Sequence, residues 1–255
     1  MEKEVCVTGR VDMNRWTKPL WYAGLLAASL IIAPASAESV APELDRQSRN
    51  LLQHLEAESG GTLSVRWNER TCTPSVLEGR LSKPSNHSPQ WIATEFVRRV
   101  KNLYGLENPN HAMRVVEVER RSDSARVRME HLLYGTPVWG DELLVHIDGH
   151  GIIRRVEGTI HPRLEKQLFH RPMRPAISAH KATAKALAAL KDQGTLAGPP
   201  EARLYYLPSR SGTPPVYVVT IRFVERDAGD RQLFIHGITG RVIAPIPEAS
   251  NDAFR

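Results

Sequence analysis

The sequence predicts an α+β protein with two modules in tandem, each a helix packed on an antiparallel sheet, after a cleaved signal peptide. In each half of the chain, a segment with apolar residues at helical spacing precedes segments in which apolar and polar residues alternate. The halves share an outline, since VHIDGHGIIRRVEG and LFIHGITGRVIAP both read as a strand, a glycine-containing turn and a second strand. A sheet with one apolar face has to be covered, and a helix is a usual cover.

Composition sets outer limits on the class of protein. Of 255 residues, 41% are hydrophobic and 24% are charged, which is ordinary for a globular protein. These values exclude a collagen-like or wholly disordered chain. With two cysteines, a disulfide scaffold is excluded as well.

The N-terminal segment has the pattern of a secretory signal. Residues 20–33 form an uncharged apolar run that is preceded by Arg15 and Lys18 and followed by the triplet Ala-Ser-Ala at 35–37. The run is shorter than the ~20 residues needed to span a bilayer. We therefore expect residues 1–37 to be a cleaved signal peptide and the product to be secreted or periplasmic; an uncleaved anchor is the alternative.

The signal peptide affects where the chain starts and which cysteines it keeps. Cleavage is expected between Ala37 and Glu38, and a start at Met13 would give a cleaner signal because acidic residues precede it. Cys6 would be lost with the signal, so Cys72 is expected to be the one cysteine of the exported chain. A lone thiol can be a nucleophile or an intermolecular link, but a small apolar role near a strand is more common.

The first module is predicted over 38–160. A helix is expected at 43–58, and a second is capped by Ser88, carries Pro89 in its first turn and ends near Gly105. Strands are predicted at 62–67, 75–81, 113–119, 126–133, 142–148 and 152–160.

The second module is predicted over 178–247, after a linker at 161–177 that holds three prolines. Its helix, 179–191, is capped by Ser178 and is rich in alanine. Strands follow at 202–207, 215–225, 231–236 and 241–246, and residues 248–255 are expected to be a flexible tail.

Motifs for catalysis and metal binding are missing from the sequence. It contains no H-E-x-x-H, no G-x-S-x-G and no P-loop. His146, Asp148 and His150 are a metal-like triplet, but they flank an Asp-Gly-His-Gly turn that favours a solvated hairpin. We therefore expect no catalytic residues, no metal ligands and no cofactor.

The net charge of +6 raises the question of nucleic-acid binding. Arg126 and Arg128 belong to a basic group that is interleaved with Glu117 and Glu119. Such mixing favours a solvated face, or a patch for an acidic protein, over a nucleic-acid site. We expect no nucleic-acid partner, and no membrane partner once the signal is cleaved.

Residues 134–143, YGTPVWGDEL, match the sequence pattern of a known protein family. The segment resembles the N-terminal propeptide of secreted thermolysin-family zinc proteases, in which Tyr and Gly end a strand, Pro-Val-aromatic-Gly follows, and an Asp-x-x-Gly hairpin joins two further strands. The matching residues are Tyr134, Gly135, Pro137, Val138, Trp139, Gly140, Asp148 and Gly151. Upstream, residues 91–104 look like the helix of the fungalysin/thermolysin propeptide module.

The second half resembles a PepSY module, a small helix-on-sheet unit that often follows. The similar segments are 177–189 and 233–242, with a Thr239-Gly240 turn. The family usually has an acidic residue before this turn, where this chain has His236.

In that family a protease domain with H-E-x-x-H follows the second module. The resemblance therefore implies a non-catalytic, propeptide-like protein whose partner is a thermolysin-like metalloprotease, bound in trans or separately encoded, and which acts as its inhibitor or folding chaperone. Two alternatives stay open: a remnant or split half of a metalloprotease precursor, and an exported binding module with another partner.

Three residues are candidates for the protease interface. Thermolysin-like enzymes favour a bulky apolar residue after the cut bond, so Ala253-Phe254 could enter the cleft; a frayed terminus is the alternative. Trp139 could anchor a partner or cap the core of its own sheet.

Overall fold

The computed structural model describes residues 44–190, 194–208, 212–224 and 230–243. The expected signal peptide with its cleavage site, Ala37 and Glu38, lies outside these residues. So do Ala253 and Phe254 and the rest of the expected tail.

The described residues form five helices and ten strands. The helices are α1 (Arg46–Ser59), α2 (Pro89–Arg99), α3 (Pro109–Ala112), α4 (Leu164–Gln167) and α5 (Ala179–Ala189). The strands are β1 (Ser64–Asn68), β2 (Thr73–Glu78), β3 (Met113–Arg121), β4 (Ser124–Leu133), β5 (Thr136–Asp148), β6 (Ile153–Thr159), β7 (Glu201–Tyr206), β8 (Pro215–Ile221), β9 (Arg231–His236) and β10 (Val242–Ile243). The predicted α+β class is confirmed.

The strands form two antiparallel groups that share one long strand. The first sheet has the order β1-β2-β6-β5-β4-β3 and the second has the order β7-β8-β9-β10. They are joined by a parallel pairing of Val138 in β5 with Tyr206 in β7. Here β5 starts at Thr136, earlier than predicted, because the Pro-Val-aromatic-Gly segment pairs with β4 on one side and β7 on the other.

Local capping fixes the helix ends. Ser88 and Ser178 accept hydrogen bonds from the backbone N–H groups of Trp91 and Lys181, at 3.3 and 3.2 Å, as predicted. α1 ends at Gly60, whose φ of +67° is the left-handed conformation that suits glycine.

Each sheet is covered on one face by a helix. Ile92 and Phe96 of α2 are buried with Val127 and Met129 of β4 in the first core. Ala182 and Ala186 of α5 are buried with Val219, Ile221 and Ile235 in the second. The apolar residues at helical spacing in these two helices thus face the two cores.

The segment predicted as a linker packs at the junction of the two sheets. Leu164 and Leu168, in and just after α4, are buried with Val138 and Tyr206. The domain limits at 160 and 178 remain a prediction.

Cys72 is not a lone thiol in this structure. It is half-buried and disulfide-bonded. The expectation of a lone thiol concerns the exported chain, from which Cys6 would be lost with the signal peptide, and it stays a prediction.

Tyr104 offers a test of polar burial in the first core. The residue is 0% exposed, and its hydroxyl has no hydrogen-bond partner among the described residues. A buried unsatisfied hydroxyl costs about 1–3 kcal/mol. Tyr104→Phe is therefore expected to leave the free energy of unfolding unchanged or raise it by about 1 kcal/mol, measured by urea denaturation. A loss of more than about 1 kcal/mol would show that the hydroxyl has a partner in solution.

Candidate functional site at the junction of the two sheets

The junction is built around the first part of β5. Trp139 packs edge-on against Tyr205 at 5.1 Å and against Phe234 at 5.0 Å, both measured between ring centroids. These two partners lie on β7 and β9 of the second sheet. Edge-to-face aromatic pairs contribute about 0.5–1.5 kcal/mol each beyond the area they bury. Trp139 therefore connects one sheet to the other, and its role as an anchor for a partner stays a prediction.

A buried carboxylate lies two residues further along β5. Asp141 Oδ2 is 2.7 Å from His131 Nδ1, and Asp141 Oδ1 is 2.6 Å from His161 Nδ1. The backbone N–H of His161 also donates to Oδ2, at 2.8 Å. The side chain of Asp141 is 0% exposed, so its hydrogen bonds are made away from solvent.

Two opposing effects act on this carboxyl group. Burial on its own would raise the pKa of Asp141, whereas the hydrogen bonds from His131 and His161 and their charge lower it. The net direction is a pKa below the usual 3.8. Asp141 is therefore a buried anion that ties β4 to the segment leaving β6.

An acidic pair lies beside the same junction. One ligand atom from each of Glu107, Glu165 and His170 lies within 4.8 Å of the other two. Burial, together with the hydrogen bond and charge of Glu107, raises the pKa of Glu165 above its usual 4.5. No sequence pattern indicates this cluster, because Glu107 is far along the chain from Glu165 and His170.

The motif residues at 134–140 shape the turn into β5. Tyr134 and Gly135 have φ of +50° and +78°, and Gly140 has φ of +77°. Pro137 and Val138 are buried. The backbone conformation and burial of these motif residues follow from the hairpin between β4 and β5 and from the pairing with β7.

In the β5–β6 hairpin, the side chain of Asp148 hydrogen-bonds to the backbone of the turn itself. Asp148 Oδ1 accepts from the backbone N–H groups of His150 and Ile152, each at 3.0 Å, and Oδ2 accepts from Arg154 Nε at 2.7 Å. His146 Nε2 is instead 2.9 Å from Glu157 Oε1. The structure therefore does not bring His146, Asp148 and His150 together as ligands.

His236 stands where the PepSY family usually has an acidic residue before the turn. Its Nδ1 accepts from the backbone N–H groups of Ile238 and Thr239, at 3.3 and 3.2 Å. It fills the acceptor role that a carboxylate could fill in the same turn, which continues through Gly240 at φ +67°. The turn therefore forms without the acidic residue.

The basic group noted in the sequence lies on the open face of the first sheet, opposite α2. Arg128 Nη2 is 2.7 Å from Glu117 Oε2, and Arg126 Nη1 is 3.4 Å from Glu119 Oε2. Glu130 is shared by Arg114 on β3 and Arg203 on β7, at 2.7 and 3.0 Å. Arginine and glutamate side chains of opposite charge therefore alternate across the open face of the first sheet.

The Asp141 triad is not predicted by the sequence. The alternation of β4 places His131 on the apolar side of the strand, and its 4% exposure confirms that position. A histidine alternating with Val127, Met129 and Leu133 could have signalled a buried polar partner. The partner itself cannot be named before the strand register is known.

The comparisons with known proteins point to thermolysin-type proteases. The chain is 26% identical over 192 residues to the bacillolysin of Bacillus cereus, covering 73% of this chain and 34% of that protein. It is 25% identical over 186 residues to the thermolysin of Alicyclobacillus acidocaldarius, covering 71% and 34%. The matched segment corresponds to a propeptide region. This chain resembles the pro-region of thermolysin-type proteases.

This propeptide-like chain spans about a third of the length of the curated relatives it matches. No family model matches it. A solved structure, the Bacillus megaterium YpeB C-terminal domain, aligns with 13% identity and a TM-score of 0.36 over 78% of this chain and 95% of that one. A TM-score this low does not establish a shared fold. Within the described ranges, no helix has the length and apolar character needed to cross a bilayer.

Proposed function

We propose that this chain is an exported, non-catalytic protein that binds a thermolysin-like metalloprotease and acts as its inhibitor, its folding helper or both. The observation that carries the proposal is the extent of the similarity, which covers 73% of this chain but 34% of the matched bacillolysin. The 255 residues contain no H-E-x-x-H. A protein that binds the native protease would stabilise it by mass action, and across the cleft it would exclude substrate.

The junction supports this role because it limits movement between the two sheets. The backbone pairing of Val138 with Tyr206, the aromatic contacts of Trp139 and the buried Asp141 all lie there. A preorganised binding surface loses less conformational entropy on association than a flexible one. This matters for action in trans, where the effective concentration of a covalent link is lost.

The open face of the first sheet is the proposed contact surface. This face extends across several strands. A stable protein–protein interface buries on the order of 1,600 Å² in total, so a broad surface of this kind is needed. Arg114 and Arg128 are 48% and 47% exposed, and their carboxylate partners share the same face. Alternating charge of this kind supports specificity and association rate more than raw affinity. Trp139, Ala253 and Phe254 are proposed as further contacts.

Inhibition tests the proposal directly. The purified chain is expected to inhibit a cognate thermolysin-like protease at sub-micromolar concentration, with thermolysin as the available probe, and to raise the yield of active protease on refolding. The absence of both effects at tens of micromolar would overturn the proposal. Unchanged inhibition after removal of residues 250–255 would exclude the contact at 253–254.

Charge reversal tests the proposed surface. Arg128→Glu is expected to weaken inhibition at least about tenfold, because it places like charges beside Glu117 and on the interface. Arg98→Glu is the matched control, since Arg98 is also an exposed arginine with one glutamate partner but lies on α2. Equal effects of both variants would show that the open face is not the contact.

A further inference from the structure

Three turns enclose a cavity at the end of the first sheet that lies away from the junction. The cavity has a volume of about 440 Å³ and lies between the loop before α2, the β3–β4 turn and the β5–β6 turn. This volume falls within the range of roughly 300–1,000 Å³ that is usual for ligand pockets. Val138 and Asp148 lie near opposite ends of β5, roughly 30 Å apart along the strand, so the cavity is well separated from the junction.

Close backbone contacts hold the walls of this cavity in place. The backbone N–H of Ser85 donates to the carbonyl oxygen of His150 at 3.1 Å. A Cβ on Gly151 would lie 1.9 Å from the carbonyl oxygen of Ser85, and a Cβ on Gly149 would lie 3.3 Å from that of Asp123. The loop before α2 and the β3–β4 turn are therefore both packed against the β5–β6 turn. Because the cavity is formed in advance, a ligand would lose little binding energy to ordering it.

The cavity carries positive charge that the described residues do not neutralise. Arg120 and Arg121 line it and are exposed, and neither guanidinium has a carboxylate oxygen within 4.0 Å among the described residues. Asp148 also lines the cavity, but its two oxygens already accept from Arg154 and from the backbone of the turn. The arginines of the open face differ, because each has a glutamate partner.

Neutral donors and an apolar floor complete the cavity. The side chains of Asn86, Ser122 and Ser124 line it and make no hydrogen bond with another described residue. Pro89, the first residue of the 11-residue helix α2, lines it too, so the positive end of the helix dipole adds to the charge of the arginines. The floor consists of three buried apolar side chains, those of Ile92, Ala125 and Ile147.

We propose that this cavity binds an acidic peptide segment of a partner protein, with Arg120 and Arg121 paired to its carboxylates. A guanidinium group matches a carboxylate through two parallel hydrogen bonds. The hydroxyl and amide groups suit the peptide backbone, and the apolar floor suits the methylene groups of a glutamate side chain. Nucleic-acid grooves instead spread their cations along a track with aromatic platforms, whereas this cavity holds two cations in one enclosed place.

This site goes beyond the open face proposed above as the protease contact. Arg120 pairs across the strands with Ala125, which is buried in the first core. Directly paired residues of neighbouring strands lie on the same side of a sheet. Arg120 therefore lies on the side covered by α2, and a peptide bound there would leave the open face accessible.

Binding of an acidic peptide to the full-length chain tests the proposal without any protease, so its outcome is independent of the proposed function. The probe is fluorescein-labelled tetra-glutamate at low ionic strength, followed by fluorescence anisotropy. Arg120→Glu and Ser122→Glu are each expected to weaken binding at least about tenfold, because each places a negative charge in the cavity. Ser122 is exposed in the β3–β4 turn, so its variant tests the site even if a change in β3 disturbs folding.

Arg70→Glu is the matched control, since it makes the same change of charge. Arg70 is exposed and has no carboxylate oxygen within 4.0 Å among the described residues. It lies in the turn between β1 and β2, at the other end of the sheet. This variant is expected to bind tetra-glutamate as the wild-type chain does.

Four results would overturn the proposal. The first is no binding of tetra-glutamate at about 1 mM. The second is an equal loss of affinity in Arg120→Glu and Arg70→Glu, which would show attraction to the net charge alone. The third is displacement of the peptide by an equal concentration of inorganic phosphate, which would indicate a site for small anions. The fourth is tighter binding of a single-stranded oligonucleotide of the same charge, which would indicate a nucleic-acid site.

Discussion

Replacing Asp141 by Asn is expected to lower the free energy of unfolding by about 3 kcal/mol. The carboxylate is 0% exposed and accepts hydrogen bonds from the side chains of His131 and His161 and from a backbone N–H. The amide keeps the size of the side chain but removes its charge and one of its acceptor atoms. Urea denaturation measures the change, and we expect the midpoint to shift with little change in slope.

Asp230→Asn is the matched control, because it makes the same substitution at an exposed site. Asp230 is 65% exposed and 3.7 Å from Arg222 Nε, so its loss is expected to cost less than about 0.5 kcal/mol. If the two variants lost similar stability, the buried triad would not be the source of the effect at Asp141.

The pH dependence of the Asp141 variant follows from the lowered pKa of the carboxyl group. The folded state holds that pKa below the usual 3.8, so the unfolded state binds a proton first as the pH falls. The contribution of Asp141 is therefore complete above about pH 4 and is lost as the pH falls through the folded-state pKa. The stability gap between wild type and Asp141→Asn is expected to shrink below pH 3.8, whereas a constant gap would contradict this.

Replacing Gly151 by Ala is expected to destabilise the protein by about 3 kcal/mol. Gly151 has φ of +71°, where an L side chain is strained. A Cβ there would also lie 1.9 Å from the backbone carbonyl oxygen of Ser85, which cannot move without disturbing the loop before α2. Thermal unfolding would measure the loss of stability as a fall in Tm.

Gly140→Ala separates conformational strain from the clash. Gly140 has a similar φ of +77°, but a Cβ at this position would have nothing within 4 Å. Gly140→Ala is therefore expected to lower the free energy of unfolding only by the conformational strain, about 1 kcal/mol. Equal losses in both variants would mean that the close approach of Ser85 contributes nothing.

Local sequence patterns predict the elements well, because their causes are local. Ser88 and Ser178 cap the helices they are expected to cap, and the alternating residues of β4 face the core as predicted. The start of β5 escapes such patterns, since Thr136 and Val138 are held in strand geometry by β4 and β7 rather than by their own alternation.

The candidate site is far less accessible to sequence reasoning. The triplet of His146, Asp148 and His150 looks metal-like because its members are close in sequence. In the structure, however, His146 pairs with Glu157, whereas Asp148 accepts from backbone N–H groups of its own turn and from Arg154. Glu107 and Glu165 show no such pattern and are brought together by folding. Closeness along the chain is a poor guide to ligand geometry when the residues flank a tight turn.

By itself the sequence determined the α+β class, the helix caps, the glycine turns and the resemblance to a thermolysin-type pro-region, because propensity, periodicity and motif spacing act over a few residues. The tertiary structure alone decided that β5 joins both sheets, that Asp141 holds two histidines and that Glu107 meets Glu165. These features depend on strand register and on the packing of segments far apart in the chain, which no local pattern encodes.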